Sequence, residues 1–152
     1  NQSNQPFQIP QSQYDPCLQA LVGLIRAAGS TPVLFKHWAR APGFEIAGDG
    51  MDWDEIDSYY QRHAALCGCQ VLPVGEAFNK CRGINDLPSL YACDGSHPSY
   101  AGSMLAAYIV AGVLLDRSPT GLSNLKLPPT PGFTIRRAAM AVLKAWSNVT
   151  TA

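Results

Sequence analysis

Residues 90–99 read LYACDGSHPS and place Asp94 three positions before His97, in a loop that turns into a helix at Pro98. At this spacing a carboxylate and an imidazole can contact each other. In a hydrolytic triad the carboxylate fixes the tautomer of the ring, while the other ring nitrogen takes a proton from a nucleophile. A proline at the first helical position makes the junction rigid. The sequence therefore predicts Asp94 and His97 as a catalytic pair, against the structural alternative that Asp94 only caps the helix.

Helices and short strands alternate on both sides of this loop. Capping residues and prolines indicate the helix starts, and short apolar runs indicate the strands. Helices are predicted to start at Asp15, Asp52, Gly75, Pro98 and Thr134, and strands to cover 32–35 and 70–74. This alternation predicts an α/β protein with parallel strands. Only two strands are evident, and a sheet of this class usually has about five, so the chain is predicted to form part of a sheet.

The composition excludes several classes of protein. Of the 152 residues, 47% are apolar and 14% are charged, which is typical of a folded domain with a real core. Lys and Arg together number 11, as do Asp and Glu, so the charge pattern that a nucleic-acid binder normally shows is missing. The longest apolar stretch, 101–115, is shorter than the ~20 residues of a membrane span and predicts a buried helix.

The cysteines and glycosylation sequons favour a secreted protein. Two sequons begin at Asn1 and Asn148, and no signal peptide is present, so a mature or cleaved product is expected. The spacing of the cysteines does not suit a zinc site and favours disulfides in an oxidising compartment. The five are Cys17, Cys67, Cys69, Cys81 and Cys93. The count is odd, so one thiol is free or bonded elsewhere; a bond between Cys81 and Cys93 would stiffen the loop before the catalytic pair.

The Asp-x-x-His-Pro motif resembles the last conserved block of the SGNH (GDSL-like) hydrolases. The flanking segments are similar to one bacterial-type branch of that superfamily, over residues 15–119. The similar segments are 33–35 with 38–40, 71–78, 100–103 and 105–108. The resemblance implies a flavodoxin-like three-layer α/β/α fold and hydrolysis of an acetyl or other acyl ester on a sugar or lipid. It implies that His97 is the general base and Asp94 its orienting partner, with no metal or organic cofactor.

The family's serine nucleophile has no counterpart here. Gly48-Asp49-Gly50 has glycine where the serine should stand, and 83–86 falls too close to Asp94 to be the family's asparagine block, so both are predicted to be turns. Residues 1–6 are similar to a polar segment near the oxyanion site of the family, where Gln2 could approach. The chain is therefore predicted to be the C-terminal half of an SGNH domain (1–118), followed by a Pro-rich connector and a final helix (119–152).

The serine is then expected on an upstream segment or a partner chain, which a disulfide could link to this one. Ser96 and Ser99 flank His97, but neighbours in sequence seldom reach the geometry that a nucleophile needs. His37 and Arg40 are most simply a polar residue at a strand end and a solvated loop residue, and His63 is predicted to be exposed on its helix. A non-catalytic binding or structural subunit is the main alternative function. A carbohydrate-binding module is weaker, because the aromatic residues are spread through helices.

Overall fold

The computed structural model describes residues 9–46, 52–82, 84 and 87–150. The predictions for residues 1–6 with Gln2, for 48–50 and for Asn85 and Asp86 lie outside the described residues, as do the side chains of both sequons. The elements are α1 (Gln11–Ala27), β1 (Val33–Phe35), α2 (Trp53–Cys67), β2 (Gln70–Leu72), α3 (Val74–Cys81), α4 (Tyr100–Leu114), a 3-10 turn (Pro119–Gly121) and α5 (Pro129–Thr150). The chain is a mixed α/β protein that is mostly helical, which confirms the predicted α/β class.

The two strands form a parallel sheet in which Leu34 pairs with Val71. The Lys36 amide donates to the Leu72 carbonyl. Because backbone groups alternate in direction along a strand, the amides and carbonyls of Val33 and Phe35 face the other edge of β1. No hydrogen bond joins them to another described residue. The outer edge of β2 differs, because its Val71 carbonyl accepts a hydrogen bond from the indole of Trp146 (3.1 Å).

The main core lies between the sheet and helices α3, α4 and α5. It contains Phe78 and Tyr108, two of the largest fully buried side chains of the described residues, and Leu72 from β2. Val33 packs against this core, whereas Leu34 packs against a smaller cluster formed with α1 and the end of α2. Helices therefore cover both faces of β1. None of the described helices is long and apolar enough to cross a membrane.

The predicted start of α2 is correct, whereas that of α1 is not. Asp52 caps α2 by accepting a hydrogen bond from the Glu55 amide (3.0 Å), and Gly29 follows the end of α1 with a φ of +75°. The predicted start of α1 at Asp15-Pro16 is wrong, because α1 begins at Gln11 and holds Pro16 within it. Asp15 does not cap this helix; its carboxylate binds side chains of α2 instead.

The predicted starts of α4 and α5 also differ from the structure. Pro98 lies before α4 and forms an isolated bridge with Tyr91, and the hydroxyl of Ser99 caps the helix by accepting from the Gly102 amide (3.2 Å). α5 begins at Pro129, before the predicted start at Thr134, whose hydroxyl donates back to the Thr130 carbonyl (3.1 Å) inside the helix. Its predicted apolar face, which includes the fully buried Ile135, does pack into the core.

Candidate active site

The structure brings Asp94 and His97 into direct contact. Oδ2 of Asp94 lies 2.6 Å from Nδ1 of His97. Oδ1 accepts hydrogen bonds from the backbone amides of Ser96 and His97, both at 2.9 Å. The carboxylate therefore holds the loop and the imidazole at once. The helix-capping alternative does not describe this site, since Ser99 caps α4.

The charge and exposure of the pair suit proton transfer. The hydrogen bond from His97, followed by those from the Ser96 and His97 amides, lowers the pKa of Asp94 to about 2, so this carboxylate is ionised at neutral pH. A carboxylate can only accept from Nδ1–H, which leaves Nε2 as the ring nitrogen that is free to take a proton. The His97 side chain is 72% exposed, and no other described residue hydrogen-bonds to Nε2.

Hydrogen bonds across the base of the loop fix its shape. The Ala92 amide donates to the His97 carbonyl (2.8 Å), and the Ser99 amide donates to the Leu90 carbonyl (2.9 Å). Gly95 sits at the tip with a φ of +65°, in the left-handed region that glycine occupies without strain. The backbone thus presents Asp94 and His97 on the same side of a closed turn.

The segment that follows β1 anchors the loop to the fold. The indole of Trp38 donates to the Ser96 carbonyl (2.9 Å), and the Ala41 amide donates to the Gly95 carbonyl (2.8 Å). The Trp38 ring stacks on Phe78 of α3, with ring centroids 4.3 Å apart. Phe44 packs so closely on Gly95 that an added Cβ would lie 2.1 Å from its ring. The pair is therefore held at the carboxyl end of β1, where parallel sheets place their ligands.

The other two histidines lie away from this pair. His37 is buried; its Nδ1 lies 3.0 Å from the Trp38 carbonyl, and its Nε2 is buried with no partner among the described residues. Burial lowers the pKa of His37 and favours the neutral ring. His37 follows β1 as predicted, but it faces the Tyr60 ring and makes no described contact with Asp94 or His97.

The prediction that His63 is exposed is wrong. Its side chain is only 1% exposed, with Nδ1 2.7 Å from the Tyr59 carbonyl and Nε2 3.0 Å from Oδ1 of Asp15. α1 covers this face of α2, and the partner of His63 lies far away in the sequence. Its position four residues after Tyr59 and seven after Ile56, on the buried face of the helix, is the signal that could have revealed it.

The serines beside His97 form hydrogen bonds that fix the loop and the start of α4. The Ser99 hydroxyl donates to the Ser89 carbonyl (2.5 Å) and caps α4, while Ser96 contributes its amide and carbonyl to the loop. Arg40, in the loop after β1, accepts a hydrogen bond from Arg82 at its carbonyl (2.6 Å). Neither serine hydroxyl is described as bonded to the imidazole, so neither is assigned as the nucleophile.

Thiols and acidic groups in the described part of the chain do not form a metal site. No group of three or more His, Cys, Asp or Glu residues there could hold a metal ion. All five cysteines are free thiols; Cys81 is buried and Cys93 is exposed. Cys67 and Cys69 pack in the small cluster beneath α1. Disulfide bonds and secretion therefore stay predictions.

Comparison with known proteins identifies a shared fold. No family model matches the chain, and no curated protein matches it. Among solved structures, it is similar to a DUF4886 family protein from Bacteroides uniformis ATCC 8492, with a TM-score of 0.67 and 22% identity. The match covers 88% of this chain and 58% of that protein, so this chain spans little more than half of its neighbour's length. At this identity the two proteins are related by their fold alone.

Proposed function

We propose that this chain is the C-terminal portion of a secreted SGNH-type ester hydrolase, in which it supplies the Asp-His pair. The observation that carries the proposal is the 2.6 Å contact between Asp94 and Nδ1 of His97, on a ring whose Nε2 side is open. This is the arrangement by which a carboxylate prepares an imidazole to act as general base. The helices on both faces of β1 support the finer assignment to a flavodoxin-like three-layer α/β/α fold.

The chemistry of the pair follows from its geometry. Nε2 of His97 takes the proton of a serine hydroxyl as the serine oxygen attacks the ester carbonyl, and it gives that proton to the departing alcohol. The acyl-serine is then hydrolysed by water, which loses its proton to the same nitrogen, and this proton returns to the serine oxygen as the carboxylic acid leaves. Asp94 stays ionised and stabilises the imidazolium that forms in each step. These steps use no metal or organic cofactor.

The serine is proposed to lie on an upstream segment or a partner chain, and a disulfide is one means of linking it to this chain. The unpaired edge of β1 supports this, because the backbone groups of Val33 and Phe35 can pair with a further strand. Trp146 covers the corresponding edge at Val71 of β2, so a strand would add beside β1. A strand there would bring its carboxyl end to the same side of the sheet as the Asp94–His97 loop.

Ester turnover by the natively purified protein tests this function. Hydrolysis of p-nitrophenyl acetate is expected to fall by about 10³-fold or more in the His97→Ala variant, because the general base is lost. The matched control is Lys144→Ala, on the exposed side of α5, which should leave turnover unchanged. Intact mass with and without reductant shows whether a disulfide-linked partner is released. Equal turnover in wild type and His97→Ala would refute the proposal.

A non-catalytic binding or structural subunit is the second candidate. One observation favours it: within the described residues, no serine hydroxyl is hydrogen-bonded to His97, and Ser99 is committed to capping α4. This function predicts that native material has the mass of this chain plus any glycans, and that it shows no His97-dependent ester hydrolysis. Detection of such hydrolysis would exclude it.

A further inference from the structure

A groove of about 590 Å³ runs between the start of α2, helix α3 and the second half of α5. Two tryptophans line it, Trp53 from α2 and Trp146 from α5, although they lie far apart in the sequence. Pro73 and small apolar residues of α5 complete its apolar surface. The fold therefore joins aromatic side chains that the sequence alone places on separate helices.

Both indole rings are held in place by the protein. Nε1 of Trp146 donates to the Val71 carbonyl (3.1 Å). The Trp53 ring lies 5.3 Å from the buried ammonium group of Lys36 and packs against Gly75, where an added Cβ would come within 2.9 Å of the ring. Rings that are fixed before binding lose little conformational entropy when a ligand stacks on them.

Hydrogen-bonding side chains line the groove beside the two rings. Gln61, Asn79 and Lys80 offer amide and ammonium groups, and Glu76 offers a carboxylate. Glu76 is itself fixed, because its Oε1 accepts from Lys36 at 2.5 Å. The lining therefore combines flat apolar surfaces with hydrogen-bond donors and acceptors and with charges of both signs.

We propose that this groove binds a pyranose sugar of a polysaccharide. A pyranose ring has an apolar face that stacks on an indole and a rim of hydroxyls that both donate and accept, which matches the two kinds of lining. An acyl chain would leave the Asn79 amide desolvated without a partner, and it would give none to Oε2 of Glu76, which is buried and has none among the described residues. A polyanion would meet only one lining cation, Lys80, beside the Glu76 carboxylate.

The groove is separate from the Asp94–His97 pair. Glu76 and Lys80 lie on the face of α3 opposite Phe78, because residues two positions apart on a helix point about 160° apart. Phe78 carries the Trp38 stack beneath the catalytic loop. The groove and the catalytic loop therefore lie on different sides of α3. The step from sugar binding to an acylated polysaccharide as substrate rests on the proposed function, whereas sugar binding itself does not.

Titration of the chain with cellohexaose, xylohexaose and chitohexaose tests the groove. Intrinsic tryptophan fluorescence should change saturably with one of them, with a Kd of about 0.1–1 mM, as expected for an open groove with two stacking rings. Trp146→Ala and Trp53→Ala should each weaken binding by roughly tenfold or more, because each removes a central aromatic contact. Trp146→Phe should retain much of it.

Phe133→Ala is the matched control. Phe133 is an exposed aromatic on the same helix, 53% accessible and outside the groove, so its loss should leave binding unchanged. Far-UV circular dichroism verifies that each variant is folded. The proposal is overturned if none of the three sugars gives a saturable change up to about 10 mM, or if folded Trp53→Ala and Trp146→Ala variants bind as wild type does. Ester hydrolysis is measured separately, so a failure of either proposal is recognised on its own.

Discussion

The carboxylate of Asp94 makes three hydrogen bonds, and all of them favour its ionised form. We therefore expect its 13Cγ NMR signal to titrate with a midpoint of about 2, well below the ordinary value of 3.8. The lowered pKa stabilises the folded loop at pH values above the unfolded pKa, and this stabilisation is lost as pH falls from about 4 towards 2. A midpoint near 3.8 would show that the contact with His97 does not persist in solution.

Gly95 is the residue on which the shape of the catalytic loop depends most. Alanine there meets two penalties, a φ of +65° and a Cβ 2.1 Å from the Phe44 ring. Gly29→Ala is a matched control, because Gly29 has a φ of +75° but nothing within 4 Å of the added Cβ. The backbone term alone should cost about 1–2 kcal/mol in each. Urea denaturation should show a larger loss for Gly95→Ala, and equal losses would contradict the Phe44 contact.

Spacing along the chain was enough to predict the contact between Asp94 and His97, but not contacts between residues that lie far apart in the sequence. Asp94 and His97 could be predicted because a separation of three residues is enough for contact within one turn. The burial of His63 was missed although its helical spacing from Ile56 and Tyr59 indicates it, and its partner Asp15 on another helix could not be predicted. The cap at Ser99 was missed because proline at 98 satisfies the usual helix-start pattern just as well.

Among the elements, the segment after β1 governs the position of the catalytic loop through Trp38. Trp38→Phe keeps the stack on Phe78 but removes the hydrogen bond to the Ser96 carbonyl, at a cost of about 1 kcal/mol. Hydrogen exchange at the Ala92 amide, which bonds to His97 within the loop, should become faster. Trp146→Phe is the control, since it loses a similar bond to Val71 and should not affect Ala92. Unchanged exchange in Trp38→Phe would contradict this anchoring role.

Lys36 joins β1 to α2 and α3 through two carboxylates. It is 3% exposed and pairs with both Asp57 and Glu76. Lys36→Met should destabilise the fold by about 1–3 kcal/mol, less than for a fully buried pair, because both carboxylates are about a third exposed and can reach water. The triple variant with Asp57→Asn and Glu76→Gln should recover much of that loss in urea denaturation. Failure to recover would show that Lys36 acts mainly through packing.

The helices and strands were predictable from the sequence, whereas several of their boundaries were not. Periodicity and the Asp52 cap identified α2 correctly, and the short apolar runs identified both strands. α1 and α5 extend beyond their predicted starts, because proline is accepted inside α1 at Pro16 and in the first turn of α5 at Pro131. The groove between Trp53 and Trp146 depends on how α2 and α5 pack, which helical periodicity does not specify.

For the molecule as a whole, the sheet is the feature that supports a further strand from outside this chain. In the described part of the chain the sheet has two strands, and the outer edge of β1 is unpaired, which supports the proposal that another segment adds beside β1 and brings the serine. The chain alone is then expected to show no ester hydrolysis that depends on His97, since no described serine is hydrogen-bonded to the imidazole as a nucleophile would be. Hydrolysis of p-nitrophenyl acetate by the isolated chain, abolished by His97→Ala, would overturn this expectation.

Labelling of the natively purified protein with a fluorophosphonate is a direct test for a serine activated by His97, because it needs no knowledge of the natural ester. A serine oxygen activated by His97 attacks phosphorus, fluoride leaves, and the serine keeps the phosphonyl group. We predict a single labelled serine, located by peptide mass spectrometry outside residues 1–152, and no labelling in His97→Ala. Absence of labelling in wild type, equal labelling in His97→Ala, or a labelled serine within this chain would contradict it.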